Sequence, residues 1–417
     1  MIYLRGVIGI LGLCGICWLL SVNRRRFPWR VVVWGLVLQF LLALWILNSD
    51  NGRGFFQHIA DFVTALVSRT TPGAELVFGS LARPDGPLGF VFAFAATGLV
   101  VIVFFAALMS ILYPLGVMQV VIWCLARIMT AFMGVSGAES MTVAAEIFVG
   151  QTESPLLVKP YLPRMTLSEL NAMMTGGYAT IAGSVMAVYM GMLGPEYASH
   201  LLTASVMSAP AAFVCAKIIR PETEKSETAG RIPLRIERDA HNIIEAASNG
   251  TSDGLKLWLN VIAMLIAFTA LVAVVDWPLE ALGNALELDG GLSLARAFGW
   301  VFAPIAWLIG VDGVNDCQLF GSLLGTKMSL NEFVAYGRLA EMLPGESDGV
   351  FESMRAAKMA TYALCGFANF ASIGIQIGGI SPLAPTRKSD IARISLRAML
   401  GGSIATCMTA TIAGMFL

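Results

Sequence analysis

The chain has 417 residues, of which 57% are hydrophobic and only 13% charged, with a mean hydropathy of +0.73. An ordinary globular domain carries roughly 25% charged residues, so this chain cannot cover a water-facing surface of the size its length implies. Soluble enzymes and secreted disulfide scaffolds are excluded, and the 27 basic and 28 acidic side chains, net −1, leave no field for nucleic acid. What remains is an integral membrane protein whose first partner is a lipid bilayer. At about 20 apolar residues per span there is room for about eight to ten crossings.

The first apolar run, 2–22, is followed by Arg24, Arg25 and Arg26 and by no polar cleavage region, so it reads as a retained first span. Full apolar runs follow at 31–48, 88–113, 170–194, 198–219, 255–277, 357–380 and 395–417. Segments 51–86 and 114–135 have the pattern of amphipathic helices lying along the membrane surface. Two further stretches, 137–165 and 314–343, are apolar but interrupted by glycines and polar residues. They are too broken for a span and too apolar for a water-facing loop. Irregular backbone at membrane depth survives only where it lines a cavity or is buried in protein, so both read as re-entrant hairpins.

The predicted fold is therefore an all-α polytopic membrane protein of about eight transmembrane helices plus two re-entrant helical hairpins. Scaffold spans and a surface helix occupy 1–113. An interfacial helix and a first repeat occupy 114–220, and a charged, solvated linker 221–254. A scaffold span with an external helix region follows over 255–312, then a second repeat over 313–417. Basic residues set the orientation. With the Arg24–Arg30 loop inside, Lys159, Arg164, the 217–238 cluster and Arg387, Lys388, Arg393 and Arg397 also fall inside, and both termini lie outside.

The two broken stretches sit at corresponding places in the two halves. G-Q-T-E (Gly150 to Glu153) precedes G-G-Y-A-T-I-A-G-S (Gly176 to Ser184), and L-N-E-F (Leu330 to Phe333) precedes C-G-F-A-N-F-A-S-I-G (Cys365 to Gly374). By the orientation above, one hairpin enters from each side, which makes an inverted repeat. Interrupted segments in corresponding positions of two halves point to a transporter's midplane site. Glu139, Glu146 and Glu153 recur every seven residues and would share one face of a continuous helix. An ionisable residue at membrane depth costs about 2.5 kcal/mol or more by insertion scales and is functional by default. For Glu139 the structural alternative, a cap on the hairpin, stands beside the functional one.

These four motifs, in order and with G-Q-T-E-S-P-L-L-V-K-P-Y-L (Gly150 to Leu162) and N-E-F-V-A-Y (Asn331 to Tyr336), resemble the concentrative nucleoside transporter family over essentially the whole chain. The resemblance implies a homotrimer in a bacterial inner membrane, with an immobile scaffold and a transport domain that moves like an elevator. It implies that Gln151, Thr152 and Glu153 bind the nucleobase with Val185 packed against it. Glu332, Asn369 and Ser372 would hold the ribose hydroxyls, with Phe367 against the ligand. For the coupling ion it implies a Na⁺ site at residue 146, the Val149 and Ile181 carbonyls and the Thr180 hydroxyl. Sodium-coupled members carry asparagine where this chain has Glu146. A glutamate can ligate Na⁺, and desolvation also favours the protonated form of a carboxyl, so Na⁺ and H⁺ both remain as coupling ions. No other cofactor and no catalytic residue is implied. The alternatives are an uncoupled facilitator of nucleosides or related polar metabolites and, more remotely, an intramembrane enzyme.

Other signals carry less. Cys14 and Cys17 form a C-x-x-C without a second pair or a nearby histidine, so they read as small hydrophobes. Gly321 to Lys327 imitates a phosphate-binding loop but is one residue short and follows no strand. The sequon at Asn249 falls on the cytoplasmic side and is incidental.

Overall fold

The computed structural model describes residues 2–82, 99–112, 115–230, 242–286, 291–343 and 351–417. All regular structure among them is helical. In chain order the helices are α1 (Ile2–Leu19), α2 (Trp29–Asn48), α3 (Asp50–Ser68), α4 (Thr71–Phe78), α5 (Val101–Leu112) and α6 (Val117–Met133). Next come α7 (Gly137–Ala145), α8 (Leu167–Ala179), α9 (Gly183–Leu193), α10 (Ala198–Ile219) and α11 (Ile243–Ala285). The second half closes the chain with α12 (Leu294–Leu308), α13 (Val314–Ser329), α14 (Glu332–Glu341), α15 (Met354–Leu364), α16 (Phe370–Ile380) and α17 (Lys388–Gly414).

Among the described residues, five segments are long and apolar enough to cross a membrane: Ile2–Leu19, Trp29–Asn48, Leu167–Leu193, Pro195–Ile219 and Pro385–Gly414. The predicted run 255–277 lies inside the single long helix α11. Of the run 88–113, residues 88–98 and 113 fall outside the described residues, and α5 makes up most of the remainder. The run 357–380 is two shorter helices, α15 and α16, as the glycines and asparagine of C-G-F-A-N predict. The amphipathic segments form α3, α4 and α6.

α10 and α17 pack on each other at the centre, and their facing residues are largely Ala, Ser, Thr and Gly. Small side chains let helix backbones approach closely where no water drives association. Around this pair each packing occurs twice. α6 lies on α7 as α12 lies on α13, α7 on α8 as α13 on α15, and α8 on α10 as α15 on α17.

The two broken stretches start and finish at opposite ends of the molecule. At one end, Gly137 N–H donates to Thr228 O, Arg387 donates to the Pro163 and Met165 carbonyls, and Val22 N–H donates to Ile219 O. That end therefore gathers both feet of 137–165 and the basic loops assigned to one face. At the other, Arg5 bonds Asp312 and the Val311 carbonyl, while Arg355 donates to the Gly310 and Gly414 carbonyls. There Asp316, in the first turn of α13, accepts from the Glu352 and Ser353 N–H groups, and Phe351 N–H donates to Met342 O just after α14. Each helical pair thus returns to the end it left, and the two pairs do so from opposite ends.

Two expectations are corrected. Glu139, Glu146 and Glu153 do not share a helix face, because α7 ends at Ala145; Glu146 is its C-cap and Glu153 follows a turn. The start of the charged linker is not simply solvated. Thr228 is buried and its hydroxyl accepts from Ala138 N–H, while Glu222 accepts from Thr166 Oγ1 at 2.8 Å, so residues 222–228 are docked on the first repeat.

Glu139 has a structural role. It closes a capping box with Ser136 and faces Lys217 at 2.6 Å, both side chains being almost fully buried. Removing one partner of such a pair strands the other charge. Lys217→Met is expected to cost about 3 kcal/mol, read as a drop in the melting temperature of the purified protein in detergent. An unchanged melting temperature would mean that the pair is not buried in the folded protein.

Candidate functional site

The site is built where the two helix breaks cross. α8 ends at Ala179, and Thr180 to Ala182 run extended before α9. α15 ends at Leu364, and Gly366 turns the chain with φ 149°, a value that disfavours any residue with a Cβ. A Cβ there would lie 2.5 Å from the Tyr178 carbonyl oxygen. Glycine is thus required twice over, by conformation and by the closeness of the two breaks. Asn369 then caps α16, accepting from Ser372 N–H at 2.8 Å.

The turn that follows α7 lies against the end of α8. Gly183 N–H donates to Phe148 O at 2.9 Å, and Ser205 Oγ donates to Ile147 O at 3.2 Å. A Cβ at Gly176 would sit 2.2 Å from Glu146 Oε2, and one at Gly177 would sit 2.8 Å from Gln151 Cβ. The G-G of G-G-Y-A-T-I-A-G-S is therefore the seat of the turn. Glu146 is 1% exposed. Its Oε1 accepts from Ser154 Oγ at 2.9 Å, while its Oε2 is buried without a hydrogen-bond partner. The Thr180 hydroxyl donates to Gly176 O at 2.9 Å beside it. Glu146 and Thr180 are thus both brought to Gly176, with Val149 in the turn that follows Glu146 and Ile181 next to Thr180 in the chain. A buried carboxylate with a hydroxyl at the same helix turn can take a hard monovalent cation or a proton.

Two polar clusters lie on one face of α16. At its N-terminus Glu332 accepts from Asn369 Nδ2 at 3.0 Å and from Tyr189 Oη at 2.9 Å, all three side chains being buried. Two turns on, Gln376 Nε2 donates to Gln151 Oε1 at 2.9 Å and to Met174 O at 3.1 Å. Thr152 presses on Gly379, where a Cβ would lie 2.4 Å from its Cγ2. Ser372, Gln376 and Gly379 are spaced as neighbours on a helix face, and Asn369 to Gln376 spans about 10 Å of rise. Val185 is buried in the first turn of α9, one turn before Tyr189 on the same face. Phe367 is half-buried, and Glu153 is exposed, its carboxylate accepting from Gly150 N–H at 3.2 Å. Glu153 is thus less enclosed than its hairpin position predicts.

The motifs do not single out Tyr189, Gln376 or Ser154. For Gln376 a signal exists, a lone carboxamide inside I-G-I-Q-I-G-G, and for Tyr189 a lone hydroxyl one turn beyond Val185. Ser154 follows G-Q-T-E directly, and only the turn of the chain brings it onto Glu146.

Crossed helix breaks, helical pairs from opposite ends and polar groups buried between them define a polytopic membrane transporter built on an inverted repeat. The chain matches the family models for the Na⁺ dependent nucleoside transporter N-terminus over residues 8–81, nucleoside recognition over 95–196, and the Na⁺ dependent nucleoside transporter C-terminus over 200–414. It belongs to the concentrative nucleoside transporter family. It is similar to an uncharacterized transporter of Haemophilus influenzae, 44% identical over 100% of this chain and 98% of that protein. It is also similar to sodium/nucleoside cotransporter 1 of Mus musculus, 43% identical over 94% of this chain but only 61% of that longer protein. The solved structure of CNTnw in an inward-facing substrate-bound state matches with a TM-score of 0.92 at 38% identity, covering 100% of this chain and 98% of that one. A CNTnw variant in an outward-facing state matches with 0.93 at 38% identity, covering 100% and 99%.

The crossing predicts a contrast between two glycines. Gly366→Ala forces an unfavourable φ and a backbone clash, and is expected to abolish nucleoside binding and lower the melting temperature. Gly378→Ala, whose Cβ would meet nothing within 4 Å, is expected to leave both unchanged. Equal behaviour of the two variants in a thermal-shift and binding assay would remove the crossing as the basis of the site.

Proposed function

We propose that the chain is a cation-coupled symporter that imports nucleosides such as uridine, working as a homotrimer in a bacterial inner membrane. The nucleobase is read by Gln151, Thr152 and Glu153 with Val185 against it. The ribose is held by Glu332, Asn369 and Ser372, with Phe367 beside it. The observation that carries this reading is the polar face of α16, whose two clusters stand about 10 Å apart, the scale of one nucleoside. Gln151 and Glu332 are already hydrogen-bonded to protein partners, so at these two groups the substrate enters by exchange of bonds. Gln376 releases Gln151 to the base edge, and Tyr189 or Asn369 yields lone pairs of Glu332 to vicinal hydroxyls. A nucleoside lacking those hydroxyls leaves a buried carboxylate under-satisfied, which discriminates against it.

Coupling is assigned to Glu146 with Val149, Thr180 and Ile181. A buried carboxylate oxygen without a partner is costly, and a bound Na⁺ or a proton relieves that cost. Because the same turn carries Glu146 and Gln151 past α8, the cation and the nucleobase stabilise the same seating of hairpin on helix. Movement of the two repeats against α1, α2, α5 and α11 then exposes the loaded site to either side in an elevator cycle.

In proteoliposomes uridine is expected to accumulate above the outside concentration when a Na⁺ or a pH gradient is imposed separately. Flux that only equilibrates under both gradients would leave an uncoupled facilitator. Glu146→Gln is expected to abolish proton-driven uptake if the proton is the driver, and to weaken the Na⁺ dependence if Na⁺ is. Retention of the wild-type response to both gradients would move the coupling site elsewhere. Glu332→Ala is expected to weaken uridine binding by about 2–3 kcal/mol, the loss of a charged hydrogen-bond partner. Calorimetry that finds unchanged affinity would remove the ribose role.

A further inference from the structure

We propose that the ammonium of Lys327 is a tethered cation that does for the second half what the coupling cation does for the first. It neutralises the carbonyl end of the broken helix and thereby positions the ribose-binding break. Lys327 lies two residues before the end of α13 and is fully buried. Its Nζ donates to Ala363 O at 2.9 Å and to Thr406 Oγ1 at 3.1 Å, and among the described residues it makes no ion pair. An unpaired ammonium in a low-dielectric interior is costly, so its place must have a compensating partner. Ala363 is the penultimate residue of α15, just before the 365–369 break. The last carbonyls of a helix have no intrahelical partner and form the negative end of its dipole. An ammonium on that carbonyl is therefore favourably placed, and the Glu332 carboxylate adds a longer-range attraction without ion-pair contact.

The first half presents the mirror arrangement. Glu146 follows the last residue of α7, and its unpartnered Oε2 lies over Gly176, in the last turn of α8. In both halves the end of the first hairpin helix thus delivers a charged side chain to the carbonyl end of a half-helix. In the first half that charge is negative, and a buried carboxylate with an unpartnered oxygen at the negative end of a helix calls for a cation or a proton. In the second half the charge is itself the cation, covalently held. Beyond Ala363 the break carries Phe367 and Asn369, and Asn369 bonds Glu332, so Lys327 acts on the ribose end through the backbone it anchors. It is a positioning residue and does not touch the ligand. This inference rests on the assignment of the coupling cation to Glu146.

The test uses the full chain in proteoliposomes. Lys327→Ala is expected to raise the KM for uridine about tenfold, the scale of one lost charged hydrogen bond. Ammonium or methylammonium added in excess is expected to restore uridine affinity and to raise the melting temperature of this variant in detergent, where no gradient exists, with no effect on the wild type. Lys327→Met, which keeps the volume without the charge, is expected to show the same raised KM without rescue. Its half-saturating concentration for the driving cation should stay within about twofold, because the first-half donor set is untouched. A Lys327→Ala protein that is not rescued, or a Lys327→Met protein with the wild-type KM, overturns the proposal. Lys327→Met also decides the matter if Lys327→Ala fails to fold. Wild-type uptake indifferent to both Na⁺ and pH gradients would instead overturn the coupling assignment and is read separately.

Discussion

A helix broken inside a membrane leaves main-chain N–H and C=O groups with no water to turn to, and each must be paired within the protein. Two such breaks, at 180–182 and 365–369, cross at the centre of this molecule, with Gly366 against the Tyr178 carbonyl. The remaining site elements are arranged around the groups these breaks set free. Phe148 O takes Gly183 N–H, the Thr180 hydroxyl donates to Gly176 O, Asn369 caps Ser372 N–H, and Lys327 takes Ala363 O. The helical pairs 137–165 and 314–343 are long enough to reach the breaks from opposite ends, and their turns carry the side chains that meet them.

The same pairing explains how a buried polar site can still exchange its ligand. Gln151 with Gln376, and Glu332 with Tyr189 and Asn369, keep the buried amide and carboxylate groups of the proposed site bonded. Replacing one hydrogen bond by another is close to neutral, whereas leaving a buried polar group unmade is costly. Selectivity then follows from what a wrong ligand fails to replace. The groups proposed for nucleoside and cation lie on one short stretch, 146–153, held in the seat of Gly176 and Gly177, so on that proposal occupancy of one would favour the geometry the other needs.

Much of this was legible in the sequence because membrane depth constrains composition so strongly. The charged fraction, the glycines and small polar residues of G-G-Y-A-T-I-A-G-S and C-G-F-A-N-F-A-S-I-G, and the order of the four motifs sufficed to place both breaks and to nominate residues that the fold gathers around them, Glu146, Gln151, Glu332 and Asn369 among them. Periodicity misled at Glu139, Glu146 and Glu153, since a seven-residue spacing says nothing about where a helix stops, and α7 stops at Ala145. Contacts between distant segments were invisible for the same physical reason. Tyr189 on Glu332, Gln376 on Gln151 and Thr228 on Ala138 depend on which helices cross, and no local pattern records that. Lys327 was read inside a false phosphate-loop pattern, because on a single strand of text a buried lysine and a phosphate-binding one look alike.

The two halves are alike in helix order and packing yet opposite in charge at equivalent points, and this asymmetry has a physical consequence. A perfectly symmetric pair of half-helix ends would call for two mobile cations or for none. With Glu146 at one end and Lys327 at the other, the proposed assignment makes one half complete by itself and the other complete only when a cation arrives. On that assignment the nucleobase subsite at Gln151 would be built on the conditional half, and the ribose subsite at Glu332 and Asn369 on the permanent one. A nucleoside would then dock its ribose at any time and have its base gripped fully only with the cation in place. Coupling would follow from this division of one ligand between a fixed and a conditional subsite, with no contact required between nucleoside and ion.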